Sequence, residues 1–282
     1  MATIEANTRS VKRAAANPGL ELLERLGYLV RGALYCVMGL LALRIALSKP
    51  DGQAVDLTGS VVYLTGNPFG KVVLLVIVIG LAAYSMWGLI RAIFDPLHRG
   101  NDASGRIERL GFVSSALSYA LIALFGLKIL IGAGGASTDA MQKSISSILE
   151  HPAGGSATVL IGVVAIGIGL GQFVEAYRAR FKWDLKGAEM TDSQRRTAVA
   201  LGRYGMFARG VVFSVLGWFI VEAGLHHDPG QLQGFGGAFM FLFAQPFGHL
   251  VLGVVALGFI ALGLHSMACA RWIRLMGSSA PS

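Results

Sequence analysis

Six histidines, two cysteines and 16 acidic residues are the groups in this 282-residue chain that could ligate a metal or move a proton. Their spacing excludes most chemistry. Cys36 and Cys269 stand far apart, each inside an apolar run, with neither a CxxC pair nor a Cys/His cluster, so no disulfide framework or zinc site is implied. His226 follows Glu222 by four residues and, with His227, Asp228 and His249, forms a grouping of divalent-metal ligand types. It has no counterpart elsewhere in the chain and includes an Asp-Pro-Gly turn, so no metal is assigned. Gly167-Ile168-Gly169-Leu170-Gly171 superficially matches a phosphate-binding glycine loop. It lies mid-run with no preceding strand and no open helix N-terminus, so the phosphate mechanism fails. Its Gly167/Gly171 spacing is instead that of a helix-packing motif. GxSxG, HExxH and paired acidic motifs are absent. The chain is expected to be no enzyme and to need no cofactor.

The elements that position these residues follow from composition. Hydrophobic residues make up 54% and charged residues 14%, against about 25% charged in a soluble domain. Six apolar segments stand out, at 26–47, 70–94, 110–132, 154–177, 204–225 and 247–270. At a rise of about 1.5 Å per residue, each covers the roughly 30 Å hydrocarbon core. None of the eight prolines falls inside a segment, so continuous helices are predicted. The net charge of +8 lies between these segments rather than on one soluble face, which argues against nucleic acid. Lys and Arg number four through Arg25, four in 91–109, seven in 178–203 and two from Arg271 onward, all on one side of the predicted bundle. The other side holds five, so both termini and the long basic loop are predicted to be cytoplasmic. The basic lead-in to the first segment has the form of a signal peptide, but it recurs internally, and the segment is read as a retained helix.

An internal repeat organises the chain. Arg25-Leu26-Gly27-Tyr28, Arg109-Leu110-Gly111-Phe112 and Arg203-Tyr204-Gly205-Met206 open the odd-numbered helices. Forty-three residues after each arginine stands a proline (Pro68, Pro152, Pro246), followed two residues later by Gly70, Gly154 or Gly248. Such a spacing, held three times, marks duplication. The predicted fold is all-α: a polytopic bundle of six transmembrane helices in three tandem two-helix repeats, with pseudo-threefold symmetry about the membrane normal. Its parts are a tail over 1–24, repeats over 25–96, 109–178 and 203–274, loops over 97–108 and 179–202, and a tail over 275–282. Stretches 56–65, 138–149 and 231–243, in the outer connections, are apolar enough for short surface helices.

Two stripes of small residues repeat with these units: Gly32, Cys36, Gly39; Ala116, Ala120, Ala123; and Gly210, Ser214, Gly217 on the odd helices. Ser85 and Ala92, Gly169 and Ala176, and Gly263 and Ala270 match them on the even helices. Small residues let helix backbones approach in lipid, and the stripes are expected to pinch each hairpin at its cytoplasmic end.

Charged residues within the segments are the remaining functional candidates. Arg31 and Arg209 occupy equivalent repeat positions two turns in from the cytoplasmic end, and Arg91 aligns with Glu175. These four would form a cytoplasmic charge ring, for orientation and headgroup contact or as an anion-attracting vestibule. Arg44, Lys128 and Glu222 align in an outer charge layer, where Glu222 would pair with a basic partner. His265 is expected to be hydrogen-bonded within the bundle. The stretch over 178–203 is basic enough to lie on anionic lipid headgroups, and a solvated, partly helical loop is the equal alternative.

The Arg-Leu-Gly-Tyr start, Arg31-Gly32, Pro68-Phe69-Gly70 and the threefold repetition resemble the bacterial domain-of-unknown-function 1206 family, membrane proteins with repeated two-helix units. The resemblance covers 25–274. The second copy departs from it most, with Ser115 in place of the arginine and Pro152-Ala153-Gly154 in place of Pro-Phe-Gly. It implies a bacterial inner membrane and no established activity. Mitochondrial carriers share three two-helix repeats, but their motif begins with proline in the odd helices, and no odd helix here contains one. Two function classes stand. A non-catalytic structural or accessory protein, contacting the bilayer, other membrane proteins or a second copy, is favoured by continuous helices and small-residue packing. A small-solute or ion transporter, with a path along the threefold axis, is the alternative.

Overall fold

A backbone surrounded by lipid must satisfy its own N–H and C=O groups, and long apolar runs without proline do so as continuous helices. The computed structural model describes residues 18–47, 68–94, 103–132, 143, 145–185 and 189–272. Seven α-helices lie among them: α1 (Pro18–Leu47), α2 (Pro68–Phe94), α3 (Ala103–Leu130), α4 (Gly154–Arg178), α5 (Asp192–His226), the short α6 (Phe235–Phe243) and α7 (Gly248–Trp272). The described residues contain no strand. Four stretches are long and apolar enough to cross a membrane: Arg25–Leu47, Gly154–Arg178, Asp192–His226 and Gly248–Trp272. A shorter apolar stretch, Leu74–Ile90, lies in α2. Large apolar side chains such as Leu40, Leu117, Val163 and Leu250 face outward, as lipid requires and water would penalise.

The expected basic loop over 179–202 is largely helix. After a 3₁₀ turn at Arg180–Asp184, α5 begins at Asp192, 11 residues before Arg203. Its start is a capping box: Thr191 Oγ1 accepts from Gln194 N at 3.3 Å, and Gln194 Oε1 accepts from Thr191 N at 3.0 Å.

Of the outer surface helices, a helical turn over 145–149 and α6 are present, while 56–65 lies outside the described residues. Each ends just before a helix-opening Pro-x-Gly. A Cβ on Gly154 would collide with Ile148 O, and one on Gly248 with Phe243 O, so only glycine lets the chain turn so closely into the long helix. α6 lies against α5, α7 and α1, with Phe239 buried at 5.8 Å from Phe259 and Phe235 at 6.3 Å from Phe213.

The small-residue stripes pack between repeats, which corrects the expectation that they pinch each hairpin. The even helix of one unit lies on the odd helix of the next: α2 on α3, α4 on α5, and the last helix, α7, on the first. The registers match. A Cβ on Gly263 would lie 2.7 Å from Gly32 O, and one on Gly169 would lie 3.0 Å from Gly210 O. At the equivalent place Ser85 Oγ donates to Ala116 O at 2.7 Å. Two turns further along, a Cβ on Gly39 would meet Ala256 O at 2.7 Å, and one on Gly217 would meet Gly162 O at 2.9 Å. The first hairpin does pack, through a different face, where Gly27 meets Tyr84; the third does so where Gly205 meets Leu262. At the equivalent Gly111 of α3 nothing lies within 4 Å. Spacing identifies a helix face but not the neighbour that covers it. Only eight residues separate the end of α2 at Phe94 from the start of α3 at Ala103, which favours the pairing seen. Gly167 and Gly171, read as a packing motif, also have nothing within 4 Å of an added Cβ; the glycines of α4 that pack on α5 are Gly155, Gly162 and Gly169.

Candidate functional site

The repeat-opening arginines bind the neighbouring helix. Arg25 Nη1 donates to Ala270 O at 3.2 Å, Arg109 Nε to Ala92 O at 2.6 Å and Nη2 to Ile93 O at 3.0 Å, and Arg203 Nη2 to Tyr177 O at 3.4 Å. The acceptors are last-turn carbonyls, which have no partner within the helix and carry the negative end of its dipole. Ala92, Ala176 and Ala270 are small at the point each guanidinium must pass. These three arginines therefore belong to the framework.

Six residues further along, about 9 Å deeper, stand Arg31 and Arg209, with Ser115 at the third position. One turn beyond, all three units carry an aromatic: Tyr35, Tyr119 and Phe213. Arg31 Nη1 donates to the Tyr84 hydroxyl, and its guanidinium carbon lies 4.9 Å from the Tyr84 ring centroid, 5.5 Å from Tyr35 and 5.6 Å from Tyr119. The Tyr35 and Tyr119 hydroxyls are hydrogen-bonded to each other. Tyr119 also packs edge-on against Tyr84 at 4.9 Å. Arg209 is 6% exposed, lies 4.7 Å from the Phe213 centroid, and is within electrostatic range of the Tyr35 and Tyr119 phenols. The Nε atoms of both arginines are buried without a hydrogen-bond partner among the described residues, and no described carboxylate reaches either guanidinium.

Magnitudes separate the two. An arginine at the centre of a membrane helix costs roughly 2.5–3.5 kcal/mol on insertion scales, an upper bound for these two, which sit two turns from the end, and a cation–π contact returns about 0.5–2 kcal/mol. Three rings largely offset the cost for Arg31. One ring leaves Arg209 short. Two like charges within range of the same two phenols can bind an anion, with guanidinium and phenol hydrogens as donors.

The other candidates are dispersed. Glu175 Oε1 accepts from Phe181 N at 3.2 Å and fastens the turn after α4. The side chain of Arg91 lies outside the described residues. In the outer layer Glu222 is 3.0 Å from His226 Nε2, Lys128 is exposed, and Arg44 lies near the end of α1. His249 Nδ1 lies 2.9 Å from Ala46 O and its ring 4.5 Å from Phe243, so it serves the α1–α7 contact. No group of three metal-ligating side chains occurs among the described residues. His265 is buried, with Nδ1 2.8 Å from Ala198 O, Nε2 3.5 Å from Cys269 Sγ, and Phe181 edge-on at 4.9 Å. A carbonyl only accepts, so Nδ1 carries the proton and Nε2 is left to accept from the thiol. Sequence reasoning missed the aromatic layer, although the signal was present: ten residues past each opening arginine stands Tyr, Tyr or Phe.

Three stretches, 26–95, 110–179 and 204–272, match the Domain of Unknown Function DUF1206. The chain belongs to the DUF1206 family. Each matched DUF1206 unit begins one residue after a helix-capping arginine, so the internal repeat and the family unit coincide. Uncharacterized protein YxxB of Bacillus subtilis (strain 168) is 32% identical over 250 residues, 89% of this chain and 90% of its own length. No solved structure matches.

Proposed function

We propose that this DUF1206 protein is a six-span protein of a bacterial inner membrane, with both termini cytoplasmic, that binds a small anion between Arg31 and Arg209 and carries it across the bilayer. It acts without chemistry on that anion. The observation that carries this reading is the burial of Arg209, with one ring contact and no described carboxylate, within electrostatic range of the same Tyr35 and Tyr119 phenols that Arg31 meets. Buried ionisable groups in membranes mark ligand paths because their desolvation is otherwise uncompensated. Register-matched contacts at the three inter-repeat interfaces support a ring about a threefold axis, with Arg31, Ser115 and Arg209 as one layer along it. The positive-inside count supports the orientation.

Purified protein, assayed for thermal stabilisation by chloride, nitrate, phosphate and sulfate and for flux of the same ions in liposomes, tests the reading. At least one anion is expected to stabilise the wild type. Arg209→Gln should weaken that response by roughly 10- to 100-fold, the loss of one charge-assisted hydrogen bond of about 1.5–3 kcal/mol. No anion response in the wild type, with flux no greater than in protein-free liposomes, would overturn it. That outcome favours the second reading, a ligand-free accessory protein, for which the buried packing of Phe239 against Phe259 speaks.

A further inference from the structure

The first turns of α5 reach past the point where α1 and α3 begin relative to their arginines, and the overhang builds a groove against the end of α4. This groove has a volume of about 1070 Å³. Its outer part is basic, lined by Lys182, Arg195, Arg196 and Arg203 against a single acid, Asp192. Its deeper part is aromatic, where Phe173 of α4 meets Phe207 of α5 at 5.1 Å beside Tyr204. Arg196, Ala200, Arg203 and Phe207 fall at i, i+4, i+7 and i+11, one face of α5 that runs from the basic end towards lipid depth. That face is open: Arg196, Ala200 and Arg203 are exposed, and Phe207 is 49% exposed.

We infer that this groove binds an anionic phospholipid of the leaflet at the basic end, its phosphate between the α5 arginines and an acyl chain along Phe173 and Phe207. Charge complementarity supplies the headgroup contact. A soluble phosphate would leave the exposed aromatic floor unused, whereas a lipid covers both halves. The inference needs α4 and α5 to cross the membrane but is independent of the anion site at Arg31 and Arg209.

The test is binding of the full-length, delipidated protein to phosphatidylglycerol and to phosphatidylcholine, read by native mass spectrometry and by thermal stability in detergent. Phosphatidylglycerol should be retained preferentially. Arg195→Gln/Arg196→Gln should weaken retention on the order of 30-fold, since each basic group near an anionic surface contributes about a factor of five. Neither arginine of that pair caps a helix, and an unchanged melting temperature in phosphatidylcholine confirms that the variant is folded. Arg195→Lys/Arg196→Lys should restore retention. Phe207→Ser should weaken lipid binding and leave any response to glycerol phosphate alone. Equal retention of the two lipids, or retention unchanged in the Gln pair, would overturn the proposal. Glycerol phosphate matching phosphatidylglycerol in effect would overturn the lipid as occupant and point to a soluble phosphate compound.

Discussion

Among single residues, the capping arginines and the buried arginines carry the same charge and do opposite things. Arg109 makes two hydrogen bonds to end carbonyls of α2, at 2.6 and 3.0 Å, and stabilises the α2–α3 contact. Arg109→Ala is expected to destabilise the protein by about 2–3 kcal/mol, because charged donors to otherwise unpaired acceptors are worth about 1.5–3 kcal/mol. Thermal unfolding in detergent reads this directly, and an unchanged midpoint would mean water replaces the guanidinium without loss. Neutralising Arg209 should instead leave stability level or raise it in the absence of anion. The sequence made both sets visible as repeated or intramembrane arginines. It did not distinguish them, because a capping role depends on which helix end lies within reach, and that is a tertiary fact.

For the helices, the contrast lies between glycines of the same stretch of α4. A methyl group on Gly169 would sit 2.6 Å from Ser214 Oγ and 2.9 Å from Ser214 N, so backbone as well as side chain must move. Gly169→Ala should therefore lower stability by about 1–3 kcal/mol, the usual range for overpacking. Gly167→Ala meets open space and should be neutral or stabilising by up to about 1 kcal/mol, the helix-propensity difference. Equal losses at the two positions, measured by the same unfolding assay, would contradict the packing described here. Helix centres were legible because period and apolarity are local. The start of α5 was legible too, in Thr191-Asp192-Ser193-Gln194, but the charge count over 178–203 drew the reading towards a loop with only part of it helical. Which neighbour each small stripe would cover was not legible: three equivalent stripes on the odd helices and three on the even ones pair equally well within or between repeats.

For the whole molecule, orientation across the bilayer is what labelling from the two sides reads. With Cys36 and Cys269 replaced by alanine, Ser193→Cys should react with an impermeant thiol reagent only in inverted vesicles, and Asp228→Cys only in intact cells. The reverse pattern would invert the assigned orientation and place the α5 groove in the other leaflet.

The packing of α7 on α1 sets the order in which the protein can be completed. Arg25 and its acceptor on Ala270 are 245 residues apart. At about 5–20 residues per second, the first helix is in the bilayer roughly 10–50 s before its partner has been made. Throughout that interval the Gly32–Gly39 face is open to any other helix in the membrane. A chain of this design therefore matures only after synthesis ends, and its first helix is the one most in need of shelter during biogenesis.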